Sequence, residues 1–210
     1  LMNMVPGGPF LSEKAISPQA TAALEAKYGL DKPLWQQYLT YMAGASHGDF
    51  GDSLKQRGRT VMDIITMKFP VSARVGGVSV LVALLLGVPL GCIAALKRGK
   101  FLDNLISVVS TCGIAVPSFV ICTLLLYFFG VRLQILPTMG LTSWKHYVMP
   151  VMALAFYPTA YIMRLMRSSM LDVLGQDYMR TAKAKGLAGG KILFKHALRN
   201  AILPVITYVG

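Results

Sequence analysis

The stretch YMRTAKAKGLAGGKILFKHALRNAILP, Tyr178 to Pro204, is basic and rich in small residues, yet it lies between two apolar segments. It divides into a short helix-like piece, a break at Gly186, and a second helical run that turns apolar as it reaches Pro204. In the first piece Ala182 and Ala184 are good helix formers of little bulk. Asp177 suits the positive start of such a helix, and Lys183 and Lys185 suit its negative end. Gly186 supplies the left-handed residue with which helices commonly stop. The run GGKILFKHALRNAIL restarts a helix after Gly189-Gly190, with Leu193, Ala197 and Ile202 on an apolar side. This is the pattern of a structured polar loop between membrane spans.

Composition agrees. The chain is 54% hydrophobic and 14% charged, against about 25% charge in an ordinary soluble domain. Val75 to Leu96, Leu105 to Val131 and Tyr147 to Met163 are uncharged, and a spanning helix needs roughly 17–25 such residues. The third window is at the lower limit and extends by snorkelling toward Lys145 or Arg164. The expected fold is an all-α membrane protein. Gly76, Gly77, Gly87, Pro89, Gly91, Gly113, Pro117, Pro150 and Pro158 recur within these windows, where they serve close packing or kinks. No ionisable carboxylate, amine, guanidinium or imidazole lies inside them, which argues against an ion-coupled transporter. Cys92, Cys112 and Cys122 fall within the spans without metal or redox spacing, so no disulfide is expected.

The net charge of +12 is a membrane-edge feature and does not signal nucleic-acid binding. Seven Lys/Arg and six Asp/Glu precede Arg74, while fourteen basic and three acidic residues follow from it. The excess gathers at residues 97–104 and 164–200. Lys/Arg-rich loops stay in the cytoplasm, which places residues 10–70 and 132–146 outside.

The outer segment reads as folded. Ser17-Pro18 is a helix start, with Gly29 as its stop. Asp31 is expected to cap a helix through LWQQYLTYMA that ends at Gly44, with Leu34, Tyr38, Tyr41 and Met42 near one face. Thr60 and Asp63 can cap TVMDIITMKF. The opening LMNMVPGGPF and the ten apolar residues at the end read as those of a piece of a longer membrane protein, since ten residues cross only about half a bilayer core.

The basic segment resembles the cytoplasmic coupling loop of ABC importer permeases, whose general form is E-A-A-x3-G-x9-I-x-L-P. The match is longer to the peptide/nickel subfamily, where D-Y-x-R-T-A-x-A-K-G-L precedes H-A-L-R-N-A-x-x-P. The chain has Asp177, Tyr178, Arg180, Thr181, Ala182, Ala184, Lys185, Gly186 and Leu187, then His196 to Ala201 and Pro204. Arg180 and Thr181 stand at the Glu and first Ala positions of the general form, and His196 and Arg199 at its Ile and Pro positions, as in the subfamily. RSSMLDVLGQDY, LDKPLWQQYLTY, HGDFGDS and VPGGPF are similar to further subfamily stretches, with Gly8 where Asp is usual. The resemblance implies the type I importer fold: an extracytoplasmic helical segment, spanning helices and a cytoplasmic coupling helix. On this division, 1–70 holds the end of a first helix and the outer segment, and 71–168 holds the second to fourth spans. Residues 169–200 form the coupling loop, and 201–210 start a fifth span.

The resemblance also implies a function: the pore subunit of an ATP-driven importer of di- or oligopeptides in the bacterial inner membrane. Tyr178, Arg180, Thr181, Ala182, Ala184, Lys185, Gly186 and Leu187 would couple the pore to an ATPase. The implied partners are cytoplasmic ATP-binding subunits, a second homologous permease, an extracytoplasmic substrate-binding protein and membrane lipid. ATP would bind to the partner subunit, so no cofactor is expected here. An importer of nickel chelates or another small solute shares every one of these motifs. A non-transporting scaffold or channel whose basic loop binds anionic lipid fits the charge pattern alone. No enzyme is expected, since Gly99-Lys100 precedes Phe101 and Gly190-Lys191 precedes Ile192, which breaks a phosphate-loop reading. His47, His146 and His196 are far apart in sequence and read as ordinary polar residues; substrate contacts stay unassigned.

Overall fold

The computed structural model describes residues 29, 31–53, 56 and 58–210. These fall in two compact units, Leu1–Val71 and Ser72–Gly210. The helix expected after Ser17-Pro18 lies outside the described residues.

In the first unit, α1 (Leu34–Ser46) starts at Pro33, with no side-chain cap. The Pro33 carbonyl accepts from the amides of Gln36 (2.9 Å) and Gln37 (3.1 Å). Asp31 is therefore not the cap, because it sits upstream of the residue whose backbone opens the helix. The expected stop at Gly44 is also overrun. Gly44 stays helical, its carbonyl takes the amides of His47 and Asp49 at 2.9 Å each, and Gly48 supplies the left-handed turn at φ +80°. Every large apolar side chain of α1 is exposed, Trp35 the most at 65%. The turn-rich run then folds back on itself. Gly51 donates to Asp49 Oδ1 at 2.9 Å, and an isolated antiparallel bridge pairs Asp52 with Thr60.

Thr60 and Asp63 form the expected reciprocal cap. The Thr60 amide donates to Asp63 Oδ2 and the Asp63 amide to Thr60 Oγ1, both at 3.1 Å. They open α2 (Val61–Leu96), which runs 36 residues without a break. The sequence suggested a separate short helix ahead of a span beginning at Val75; the structure joins them.

In the second unit, Ser79, Ala83, Gly87 and Gly91 recur every fourth residue along α2 and are buried. This small-residue ridge packs against α5 (Lys145–Leu174). A Cβ on Gly87 would stand 2.7 Å from Ile162 Cγ2, and one on Gly91 2.7 Å from the Met163 carbonyl oxygen. Gly113 meets Ala160 Cβ in the same way at 2.6 Å. Close approach of this kind is how membrane helices gain packing energy when lipid and side chains are equally apolar.

The second apolar window, where the sequence places close packing or a kink at Gly113 and Pro117, is sharply bent. α3 (Phe101–Ala115) stops at Val116, and α4 (Ser118–Leu125) leaves at 98° to it, continuing as the π-helical turn Leu126–Arg132. The residue before a proline avoids helical backbone, and Val116 is extended at φ −82°, ψ 122°. α3 and α4 both pack on α5, which carries Pro150 and Pro158 without breaking. α2 and α5 are long and apolar enough to cross a membrane, and the bent pair makes a third crossing if it is one span. Beyond α5 come α6 (Asp177–Ala184) and α7 (Gly189–Lys191). A π-helical stretch (Ile192–Leu198) leads into α8 (Arg199–Ala201), and α9 (Leu203–Val209) follows.

Candidate functional site

α5 continues to Leu174, past the division at 168 read from the sequence, so the polar segment is carried on a rigid stalk. After the turn at Gly175 and Gln176 the chain enters α6, with Asp177 in its first turn and Lys183 in its last. Thr181 Oγ1 bonds back to the Asp177 carbonyl at 3.1 Å. At the far end the Gly186 amide donates to the Lys183 carbonyl (2.9 Å) and the Leu187 amide to the Ala182 carbonyl (3.4 Å). These two bonds define a Schellman cap. Gly186 is at φ +73°, as that cap requires.

A helix this short does not hold its shape alone in water. Its support is a core of Met166 and Met170 from α5, Met179 and Ala182 from α6, and Ala197 and Ala201 from the following helical run. Met179 is 1% exposed and Ala182 7%. Burying one methionine side chain is worth about 1.5–3 kcal/mol, so Met179 is the main anchor. A second tie is polar: Asn200 Nδ2 donates to the Tyr178 hydroxyl and to the His196 carbonyl, each at 3.1 Å.

The residues singled out from the sequence separate into two sets. Arg180, Thr181, Ala184, Lys185 and Gly186 are exposed, and Tyr178 is 42% exposed. Asp177, Arg180, Thr181 and Ala184 follow helical spacing on the outward side, where Arg180 and Asp177 lie 3.8 Å apart, both near full exposure. Ala182 and the half-buried Leu187 turn inward. Ala182, one of the residues expected to take part in coupling, has its methyl seated against this chain's own core. The restart expected after Gly189-Gly190 begins at Gly189 itself, with Ala188 in extended backbone ahead of it.

An ion pair that sequence reasoning missed braces the same end of the unit. Arg167 Nε donates to Asp103 Oδ1 at 2.5 Å and Arg167 Nη2 to Oδ2 at 2.9 Å. The Asp103 side chain is 3% exposed and that of Arg167 31%. The Gly99 amide also donates to Asp103 Oδ2 at 2.9 Å, so the basic turn at residues 97–100 is tied to α5 shortly before α6. A lone acid in the first turn of an otherwise uncharged helix was the available signal. Among the described residues, no group of His, Cys, Asp or Glu is placed to hold a metal ion.

If the Schellman cap fixes where α6 ends, its strain-sensitive position is Gly186. A Cβ there meets nothing within 4 Å, so replacement acts through backbone conformation alone. Left-handed backbone costs an L-residue about 1–2 kcal/mol, which is a factor of roughly 5–30 in the docked population. Tryptic cleavage at Lys183 and Lys185 should rise in the order Gly186→Asn, Gly186→Ala, Gly186→Val, because Asn tolerates this conformation and a β-branched side chain does not. Equal cleavage of all three would show that the cap does not control the helix.

Residues 87–210 match the family of binding-protein-dependent transport system inner membrane components. Over 210 residues the chain is 46% identical to the dipeptide transport system permease protein DppB of Bacillus subtilis, covering all of this chain and 68% of that protein. It is 42% identical over 212 residues to the oligopeptide transport system permease protein OppB of Salmonella typhimurium, covering all of this chain and 69% of the relative. The dipeptide transport system permease protein DppB of Lactococcus lactis is 38% identical over 210 residues, with the same 100% and 69% coverage.

Proposed function

This chain belongs to the family of inner membrane components of binding-protein-dependent transport systems, and we propose that it is a permease subunit of an ATP-driven importer of di- or oligopeptides. It is an all-α, multi-pass protein of the bacterial inner membrane, of the type I importer class. The observation that carries the substrate is similarity at 38–46% identity along its whole length to permeases named for dipeptide and oligopeptide transport.

In mechanism, ATP is hydrolysed in a cytoplasmic partner, and its motion reaches the pore through α6. The outward face of α6, with Arg180, Thr181 and Ala184, meets the ATPase groove. Met179 and Ala182 transmit the push to α5 and to the run that leads into α9. A second permease completes the pore, and an extracytoplasmic binding protein delivers substrate. The reading is supported by the build of α6: a capped helix with one face seated on the chain's own core and the other exposed.

The test is reconstitution of the complete transporter in proteoliposomes. ATP-dependent uptake of a labelled di- or tripeptide is expected, with the ATP-binding subunit co-purifying. Uptake of a nickel chelate in place of peptide would overturn the substrate, and no associated ATPase would overturn the permease. Orientation is checked on Gln56→Cys and Gly189→Cys, both at exposed positions. An impermeant thiol reagent should reach the first in intact cells and the second only after the membrane is opened.

A further inference from the structure

On α5, Tyr157, Tyr161 and Arg164 follow one another at spacings of four and three, which places them on one face of the helix. Tyr208 of α9 packs on this face with its ring tilted 31° to that of Tyr161. Its ring centroid lies 4.5 Å from that of Tyr161, which in turn lies 6.3 Å from Tyr157. Tyr157 is 42% exposed and Tyr208 40%. Among the described residues, none of the three hydroxyls has a hydrogen-bond partner.

Depth makes this informative. Taking the uncharged window that begins at Tyr147 as the span, a rise of about 1.5 Å per residue puts Tyr157 about 15 Å into it, near the middle of a hydrocarbon core roughly 30 Å thick. Tyrosines of membrane helices gather at the interfaces, where the ring is dry and the hydroxyl wet. A phenol held at mid-depth against lipid would lose its hydrogen bonds to water and gain none. At the depth of Tyr157 this face is therefore turned to water or to a polar partner, and Tyr161, about 4.5 Å before Arg164 along the helix, carries it on toward the cytoplasmic edge.

The remainder of the face favours water. Arg164 continues the stripe and also borders a recess of about 260 Å³ whose other polar walls include Ser107, Ser110 and Thr111 of α3. Arg164 makes no ion pair among the described residues. A dry helix–helix contact in this chain has the opposite composition: Gly87, Gly91 and Gly113 let backbones touch.

We infer that Tyr157, Tyr161 and Tyr208 line the translocation path and contact the peptide as it crosses. Phenol hydroxyls both donate and accept, so they match peptide amides and carbonyls without regard to sequence. The ring faces and edges take apolar or aromatic side chains. A surface of this kind suits a carrier of many short peptides. The inference rests on the permease reading above and adds to it the residues that meet the substrate.

The test uses the complete transporter with Cys92, Cys112 and Cys122 replaced by Ala. Tyr157→Cys and Tyr208→Cys should react with a water-soluble cationic methanethiosulfonate, block uptake when modified, and react more slowly in saturating dipeptide. Met152→Cys, exposed on the opposite side of α5, should stay unmodified. In separate proteins, Tyr157→Phe, Tyr161→Phe and Tyr208→Phe should each raise the KM for peptide roughly fivefold, the value of one neutral hydrogen bond. Two outcomes overturn the inference. One is that neither cysteine reacts at rest or during ATP turnover, or that both react without effect on uptake. The other is that the triple Phe variant releases the second permease, which would make the face a subunit contact. A wild-type transporter that moves no peptide would overturn the permease reading itself, a result visible before any variant is made.

Discussion

Ala182→Glu is expected to abolish coupled ATP hydrolysis and peptide uptake, with normal amounts of protein in the membrane. The site is 7% exposed and shares a core with Met170, Met179, Ala197 and Ala201. An unpaired carboxylate there costs several kcal/mol. Against it stands the anchoring of Met179, about 1.5–3 kcal/mol, while the contact of the alanine methyl, roughly 0.8 kcal/mol, is forfeited by the substitution itself. The penalty exceeds the anchorage, so α6 leaves its seat, and an undocked helix of 8 residues melts. Trypsin should then cut at Lys183 and Lys185 far faster than in the wild type.

Ala184→Glu separates docking from partner contact. Ala184 is exposed, so glutamate there leaves α6 seated and trypsin resistance unchanged, but it should release the ATP-binding subunit. If Ala182→Glu transports normally and resists trypsin, α6 is not held as described. If Ala184→Glu keeps its ATPase, the outward face of α6 is not the contact surface.

The two alanines also mark how far the sequence could be read. Gly186 announced its left-handed cap because little else does that task as cheaply, and Thr60 with Asp63 announced a helix start because both donors and acceptors lie within one turn. Such features are local. The side of α6 that faces the core is not local: it depends on where Met170, Ala197 and Ala201 arrive, and these come from other helices. The bend after Ala115 was half legible, since Pro117 disfavours helical backbone at Val116, but Pro150 and Pro158 sit within an unbroken α5, and the angle of 98° comes with packing on α5. The pairing of Asp103 with Arg167 was hidden for a related reason. Each residue read by itself is a charge near a membrane edge, and only the packing of α3 against α5 brings them together.

That pair yields an asymmetric prediction. Removing one member of a buried ion pair costs about 3–5 kcal/mol, because the other is left uncompensated. The two members differ in their escape routes. Arg167, at 31% side-chain exposure, can turn its guanidinium toward water or headgroups, whereas Asp103, at 3%, cannot move out. Arg167→Met should therefore lower the thermal midpoint of the detergent-solubilised transporter more than Asp103→Leu does. In the first variant the carboxylate keeps only the Gly99 amide at 2.9 Å and a long contact to Ser107 at 3.5 Å. The double variant should recover most of the loss, since well-packed apolar residues often replace a buried pair without net cost. A double-mutant cycle measures the coupling directly. Additive effects, or a larger loss from Asp103→Leu, would mean that the pair does not brace the turn at residues 97–100 against α5. Restored stability with uptake still impaired would assign the pair a second role, in holding that turn in register with α6 while the coupling helix is driven.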